Sequence, residues 1–286
     1  MTTIAYSAPR AAWRFAASPG WSRRIGVAGV VAIALVAALA PVLTPYSPTE
    51  QGLALGLHGP TWSHPFGTDQ LGQDVLTRVL YAARIDLLIG LVGVTFSLAI
   101  GTVLGLLAGY YGGVLDVLIG RLVDVFTAFP FLVLVIAIVA MLGPGLRNLY
   151  IAIVIVSWVA YARIVRGETL SAKRREYVLA ARALGYSGPR IMFRHLLPNV
   201  VAPAFVFGMS DFVLDILAGA ALGFFGLGAQ PPTAEWGVMI ADGRNFITTA
   251  PWLVIFPGLA IIVTGFFFSL LGDGLADYIR RVDPRA

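Results

Sequence analysis

The chain of 286 residues contains no cysteine, only three histidines and a single lysine. The absence of cysteine excludes disulfides, cysteine-ligated zinc sites and thiol catalysis. The only lysine, Lys173, does not belong to a Gly-x-x-x-x-Gly-Lys-Ser/Thr sequence, so the chain lacks a phosphate-binding loop for ATP. No Ser-His-Asp or metal-ligand pattern has a workable spacing. We therefore predict no catalytic residue, no metal site and no cofactor bound by this chain, which is not an enzyme.

Charge is also scarce, because charged residues make up 12% of the chain and hydrophobic residues 58%. A mean hydropathy of +0.83 excludes an ordinary soluble globule. Each of six apolar runs is long enough to cross a hydrocarbon core of about 30 Å as a helix. These runs cover residues 25–43, 86–109, 122–142, 149–165, 200–227 and 252–271. Since they lack the alternation of barrel strands, they predict an all-α polytopic membrane protein with six transmembrane helices.

The basic residues are unevenly distributed along these runs. Of 20 Lys and Arg residues, all but Arg78, Arg84, Arg147 and Arg244 fall on the side that holds both termini and residues 163–195. The positive-inside rule therefore predicts cytoplasmic termini. The net charge of +5 reflects this topology, so we expect protein and lipid membrane, and no nucleic acid, as partners.

Residues 171–198, the docking loop, form a compact basic segment between the fourth and fifth runs. We expect a helix from Ser171 to Leu184, a left-handed cap at Gly185, and a second short helix behind Ser187 with Pro189 in its first turn. Such a helical pair suits docking to an acidic protein surface or to lipid headgroups, whereas an ordinary basic cytoplasmic loop is the alternative. The candidate docking residues are Glu176, Ala180, Ala181, Arg182, Gly185, Arg190, Arg194, His195 and Pro198.

Three aspartates lie inside the apolar runs, where a carboxylate is costly and normally faces a partner or a wet cavity. Asp211 and Asp215 are one helical turn apart and share a face without a close basic neighbour. They either line a translocation path for a cationic or zwitterionic substrate or pair locally. Asp124 is a third candidate for the path, although Arg121 lies three residues before it and is a candidate partner.

Small residues recur every four positions along the second run. Gly93, Ser97, Gly101, Gly105 and Gly109 therefore line one face of a helix. Such faces let two membrane helices approach closely, so we predict a packing surface for another span.

Several ordered segments resemble permease subunits of binding-protein-dependent ABC importers, in particular the peptide branch. In the docking loop, Ala180, Ala181, Gly185, Leu197 and Pro198 match the family's Glu-Ala-Ala loop, with Leu179 in place of its Glu and His195 in place of a hydrophobic residue. Three further segments match, at residues 64–91 (His-Pro-Phe-Gly-Thr-Asp and onward), 222–262 and 271–285. Gly219 and Gly223 replace a Glu and a Ser that are usual in the family.

This resemblance implies the type I ABC importer permease fold in the cell inner membrane and a function in dipeptide or oligopeptide uptake. It implies three kinds of partner: a second homologous permease, one or two cytoplasmic ATPase subunits that carry ATP and Mg, and an extracytoplasmic substrate-binding protein. The candidate contacts for the binding protein are Asp69, Trp236, Asp242 and Arg244. We expect a first unit at 1–84, a permease core at 85–279 and a cytoplasmic tail at 280–286.

Three alternatives remain at this point. Related permeases handle other cargo, such as nickel chelates, haem and sugars. An ion-coupled secondary transporter would use the aspartates within the membrane, but the sequence shows no inverted repeat. A membrane scaffold would use the basic loop to recruit a cytoplasmic protein without transport.

Overall fold

The computed structural model describes residues 19–282, so predictions for residues 1–18 and 283–286 lie outside the described residues. Within the described range the regular elements are helices, apart from a single β-bridge between Thr68 and Asp74. In chain order the α-helices are α1 (Pro19–Leu43), α2 (Val75–Tyr111), α3 (Gly113–Thr127), α4 (Phe131–Leu142), α5 (Leu146–Ala172), α6 (Glu176–Ala183), α7 (Gly188–Ile191), α8 (Leu197–Phe224), α9 (Trp236–Gly243) and α10 (Trp252–Val282).

Five helical stretches are long and apolar enough to cross a membrane, and a sixth is added if α3 and α4 count as one span. The five stretches contain α1, α2, α5, α8 and α10. The all-helical architecture is thus confirmed, but the expected continuous helix over residues 122–142 is wrong. α3 and α4 meet at an angle of 88° around Pro130. Proline lacks an N–H and disfavours helix at the preceding residue, which explains the break there.

The second span is longer than predicted, with 37 residues in α2. Its N-cap is Asp74, whose Oδ2 accepts the Thr77 N–H at 2.8 Å and the Thr77 hydroxyl at 2.7 Å. Oδ1 of Asp74 lies 2.9 Å from His64 Nδ1. The predicted boundary between residues 84 and 85 lies inside this helix, because no glycine or proline interrupts the stretch from Val75 to Arg84.

The small-residue face of α2 packs against α5, which confirms the predicted packing surface and identifies its partner. A Cβ added at Gly101 would stand 2.5 Å from the Trp158 carbonyl oxygen, and one at Gly105 would stand 2.5 Å from the Ala162 carbonyl oxygen. Both distances are too short for a real carbon atom. The two backbones are therefore in contact along this face, as small residues in membrane helices allow.

α8 lies at the centre of the bundle, in contact with α2, α5, α9 and α10. On one side, Phe212 stacks on Phe268 of α10 with a centroid distance of 3.9 Å. On another side, buried Ile216 and Leu222 pack into the core. The side chains of α8 that face α2 and α5 are therefore held in the interior of the bundle.

Candidate functional site

The docking loop contains α6, a tight turn and α7. A break in the helix between α5 and α6 was not predicted from the sequence. α5 ends at Ala172 and α6 begins at Glu176, so the predicted single helix from Ser171 to Leu184 is wrong. The chain turns at residues 173–175, which brings Val178 and Ala181 into contact with the bundle. A straight continuation of α5 would carry these apolar side chains away from their partners, and their burial outweighs local helix propensity.

Gly185 caps α6 in the predicted left-handed conformation, with φ of +78°. The Tyr186 N–H donates to the Ala181 carbonyl at 3.1 Å, and the Gly185 N–H donates to the Arg182 carbonyl at 2.9 Å. This pair of hydrogen bonds is the Schellman arrangement, which satisfies the last carbonyls of a helix. The cap directs the chain into α7, which starts after Ser187 with Pro189 in its first turn, as predicted.

The docking loop is anchored to the ends of α2 and α5. Val178, Ala181, Ile191 and Leu196 are buried in one apolar cluster that includes Leu106 of α2 and Val165 of α5. In addition, Lys173 Nζ donates to the Gly109 carbonyl of α2 at 2.7 Å. A force applied to the loop is therefore transmitted to two long helices through packed side chains.

A wide helical turn over Met192–Leu196 connects α7 to α8. The Leu197 N–H donates to the Met192 carbonyl, five residues earlier, instead of the usual four. The next residue, Pro198, has no N–H to donate, so the wider turn accommodates it without breaking the helix.

The outer surface of the docking loop presents cations and aromatic rings. The Arg190 guanidinium lies 4.2 Å from the Tyr186 ring centroid, and that ring stacks on His195. Leu179, at the position of the family's Glu, is 51% exposed. Of the predicted docking residues, Ala181 is buried and His195 is half-buried, whereas the exposed ones are Glu176, Ala180, Arg182, Gly185, Arg190, Arg194 and Pro198. This surface can bind a partner through charge-assisted and cation–π contacts.

A second feature, the central groove, lies between the α3–α4 elbow, α5 and α8 and has a volume of about 320 Å³. It is defined by Phe126, Phe131, Ser157, Arg163, Phe207 and Asp211. Arg163, Phe129 and Leu214 are exposed along it, so the groove opens at the surface of the chain.

Asp211 and Asp215 face α5, and both are buried. The Tyr161 hydroxyl donates to Asp211 Oδ2 at 2.8 Å, and the Ser157 hydroxyl donates to Asp215 Oδ1 at 3.4 Å. The other oxygen of Asp215 has no hydrogen-bond partner among the described residues. The two aspartates thus share a face as predicted and have local hydroxyl partners. Neither forms an ion pair within residues 19–282.

Asp124 lies apart from these two aspartates, on α3, and is exposed. Over the described part of the chain it forms no ion pair, so the expected pairing with Arg121 is not found. It also does not line the central groove, although Phe126 and Thr127 do. The three candidates for a translocation path are therefore not brought together.

The four candidate contacts for a binding protein divide into two classes. Trp236 is 1% exposed and its indole N–H donates to the Val79 carbonyl at 3.1 Å, while Asp69 is 8% exposed and accepts the N–H groups of Leu71 and Gln73. These two residues are buried in the fold, so little of their surface is left for a direct contact. Asp242 and Arg244 are exposed beside a second groove of about 300 Å³. They remain candidate contacts.

Glu235, which no sequence pattern singled out, is fully buried and caps α9. Its oxygens accept the Gly237 N–H at 2.7 Å and the Val238 N–H at 2.9 Å. The carboxyl also faces buried Asp86 of α2 and fills the space beside Gly223, where a Cβ would stand 2.0 Å from Oε2. A Glu followed by Trp-Gly at the start of a helix is the signal that could have revealed this cap.

Replacing Glu235 with glutamine should make stability less dependent on pH. Burial raises the pKa of Glu235, so the folded chain binds a proton that the unfolded chain releases. Stability therefore falls as pH rises from the unfolded pKa through the raised one, by up to about 1.4 kcal/mol per pH unit. The thermal unfolding midpoint in detergent, measured from pH 4 to pH 8, should decline less steeply for Glu235→Gln. Exposed Glu50→Gln is the control, and equal slopes for all three proteins would contradict the expectation.

Comparison with known proteins places these features in a family. The model of the family described as "Binding-protein-dependent transport system inner membrane component" matches residues 101–281, which include the docking loop and the central groove. The dipeptide transport system permease protein DppC of Alkalihalophilus pseudofirmus is 45% identical over 276 residues, covering 96% of this chain and 90% of that protein.

Other relatives have similar identity. The di/tripeptide transport system permease protein DppC of Pseudomonas aeruginosa is 45% identical, covering 91% of this chain and 87% of its own. The glutathione transport system permease protein GsiD of Escherichia coli is 45% identical, and the match covers 90% of this chain and 84% of that protein. A chain of the MetNI methionine ABC transporter in an inward-facing conformation has the same fold, with a TM-score of 0.57, 18% identity, and coverage of 72% of this chain and 96% of that one.

Proposed function

The chain belongs to the family of binding-protein-dependent transport system inner membrane components, and from this we propose that it is the permease subunit of an ATP-driven ABC importer for dipeptides or oligopeptides. The observation that carries the choice of cargo is the 42–45% identity, over 91–96% of the chain, to permeases named for dipeptides or di/tripeptides. The chain is a multi-pass inner-membrane protein with the type I ABC importer permease fold.

ATP hydrolysis, in this proposal, takes place on one or two cytoplasmic ATPase subunits that hold ATP and Mg. The docking loop contacts them, and the distribution of arginines supports cytoplasmic termini on the same side. A second permease completes the channel, and an extracytoplasmic binding protein delivers the peptide near Asp242 and Arg244. The chain itself contributes binding and conformational change rather than catalysis.

Coupling would occur through rigid-body movement. The ATPase subunits close around nucleotide and push on the docking loop, which is packed against α2 and α5. The bundle then shifts between inward-facing and outward-facing states, because the loop contacts differ in energy between the two states.

Purification of the chain from its native membrane in mild detergent, followed by mass spectrometry of the retained proteins, tests this function. We expect an ATPase and a second permease in stoichiometric amounts, and a retained binding protein would identify the cargo. Recovery of the folded chain without these subunits would contradict the proposal and favour a secondary transporter or a scaffold.

A further inference from the structure

The central groove is lined by an acidic side chain, Asp211, that forms no ion pair with the described residues. Asp211 is 6% exposed, and Tyr161 fixes only one of its oxygens. Among the described residues, the Tyr161 hydroxyl is the one side-chain hydrogen-bond partner of Asp211. Asp215 lies one turn further along α8 but does not line the groove, since it is fully buried and its Oδ2 lies beside Gly93 of α2. Ionisable side chains within a membrane span normally face a partner or a water-filled cavity and mark substrate pathways, so the groove is a candidate site for a cationic group from outside the chain.

The same groove presents a cation at its exposed side. Ser157, Ala160 and Arg163 lie on one face of α5, and all three line the groove. α5 and α8 run antiparallel here, since Ser157 bonds Asp215 and Tyr161 bonds Asp211. Arg163 therefore lies nearer to the docking loop than Asp211, at the exposed part of the groove. No described ion pair includes Arg163.

The walls between these charges are apolar and aromatic. Phe126 and Phe131 line one side, and Phe207 and Leu214 line the other. A volume of about 320 Å³ is at the lower end of the range for small-molecule sites. A groove with an acidic residue, a basic residue and apolar walls between them suits a ligand with two charged ends and variable side chains.

We propose that the central groove binds the zwitterionic backbone of a short peptide in transit, with Asp211 receiving the N-terminal ammonium group and Arg163 receiving the C-terminal carboxylate. Asp215 does not line the groove and has no contact with the peptide in this proposal. Recognition of the two termini, with apolar walls for the side chains, permits passage of peptides of different sequence. The inference deepens the proposed function and depends on it.

Charge substitution in the reconstituted importer tests the groove. In proteoliposomes containing all subunits, Asp211→Asn should lower trialanine uptake about 10-fold or more, because a charge-assisted hydrogen bond to the cargo is lost. Asp211→Glu should restore most of the uptake. ATP hydrolysis stimulated by the peptide-loaded binding protein is measured in the same vesicles, so that the loss is expressed as peptide transported per ATP consumed. Asp124→Asn, an exposed carboxylate outside the groove, is the matched control.

Normal trialanine uptake by Asp211→Asn would overturn the groove assignment while leaving the importer function intact. If the unmodified assembly shows no ATP hydrolysis in response to peptide, the proposed function fails instead. The two failures are therefore distinguishable in the same vesicles.

A second measurement does not depend on turnover and covers the case in which Asp211→Asn does not fold. Because the chain has no cysteine, Ala160→Cys introduces a single thiol of this chain into the groove. We expect trialanine to slow its labelling by a water-soluble maleimide, and N-acetyl-trialanine amide, which lacks both terminal charges, to leave the rate unchanged. Ser47→Cys is the control, because Ser47 is exposed in the segment before α2. Its labelling rate should be the same with either peptide and without peptide. Equal protection by both peptides, or by neither, would overturn the proposal.

Discussion

Replacing Gly185 with valine should reduce peptide uptake about 10-fold or more without removing the chain from the membrane. Gly185 has φ of +78°, and a Cβ there would meet no atom within 4 Å. The cost is therefore one of backbone conformation and not of space. A β-branched residue in this region is strained by about 1–3 kcal/mol. Since about 1.4 kcal/mol corresponds to a factor of ten, the Schellman cap should be largely depopulated.

Loss of this cap should act on coupling. Without it, α7 no longer follows α6 in the observed orientation, in which Arg182 and Arg190 are both exposed. We expect the assembly either to lose its ATPase subunits during purification or to hydrolyse ATP without uptake. Both are measurable on one preparation, by subunit stoichiometry and by the ratio of peptide transported to ATP consumed.

Gly120→Val is the matched control for this substitution. Gly120 lies in α3, where φ is negative and a Cβ would also meet no atom within 4 Å. Valine is tolerated there about as well as glycine in a helix. Uptake and stoichiometry at the level of the unmodified protein are expected for Gly120→Val, and the same result for Gly185→Val would show that the cap is not needed for coupling.

The docking loop and the central groove are connected by the same two helices. α5 carries Ser157 and Arg163 in the groove and ends at the docking loop, while α8 starts from the loop and carries Asp211. α5 and α8 are antiparallel here. Hydrogen bonds from Tyr161 and Ser157 of α5 to the two aspartates of α8 hold these helices in register. A displacement of the loop along α5 or α8 would therefore change the groove directly, which is the physical basis of the rigid-body mechanism proposed above.

Sequence patterns predicted the features that depend on local chemistry. Hydropathy located the spans, and the requirement for positive φ identified Gly185. The spacing of Gly101 and Gly105 indicated a packing face. Each of these properties is determined by a residue and its neighbours in the chain, so no tertiary information was needed.

Features that depend on long-range packing were not predicted. The break between α5 and α6 arises because Val178 is buried against distant residues, and the sequence around Lys173 contains no breaker. The partners of Asp211 and Asp215 are Tyr161 and Ser157, about 50 residues away in sequence, which periodicity cannot identify. Likewise, the burial of Trp236 results from its contact with Val79 in α2.

The largest effect on stability is expected from enlarging Gly105. Replacement by alanine would place a Cβ 2.5 Å from the Ala162 carbonyl oxygen and 3.0 Å from the Arg166 nitrogen. Both atoms belong to the backbone of α5 and cannot move aside as a flexible side chain would. α2 and α5 must therefore separate, which also disturbs the close approach at Gly101 and Gly109. Overpacking of this kind costs about 3 kcal/mol, at the upper end of the usual range.

Thermal unfolding in detergent and the yield of intact assembly measure this cost. Gly105→Ala should lower the unfolding midpoint and the yield, and Gly105→Leu should prevent accumulation of folded chain. Gly167→Ala is the control within the same helix pair, because Gly167 of α5 is exposed and a Cβ there meets no atom within 4 Å. Alanine favours helix over glycine by about 1 kcal/mol, so this variant should be as stable as the unmodified chain or more so. Equal stability of Gly105→Ala and Gly167→Ala would mean that α2 and α5 are not in backbone contact, and the transmission of loop movement through this helix pair would then need another route.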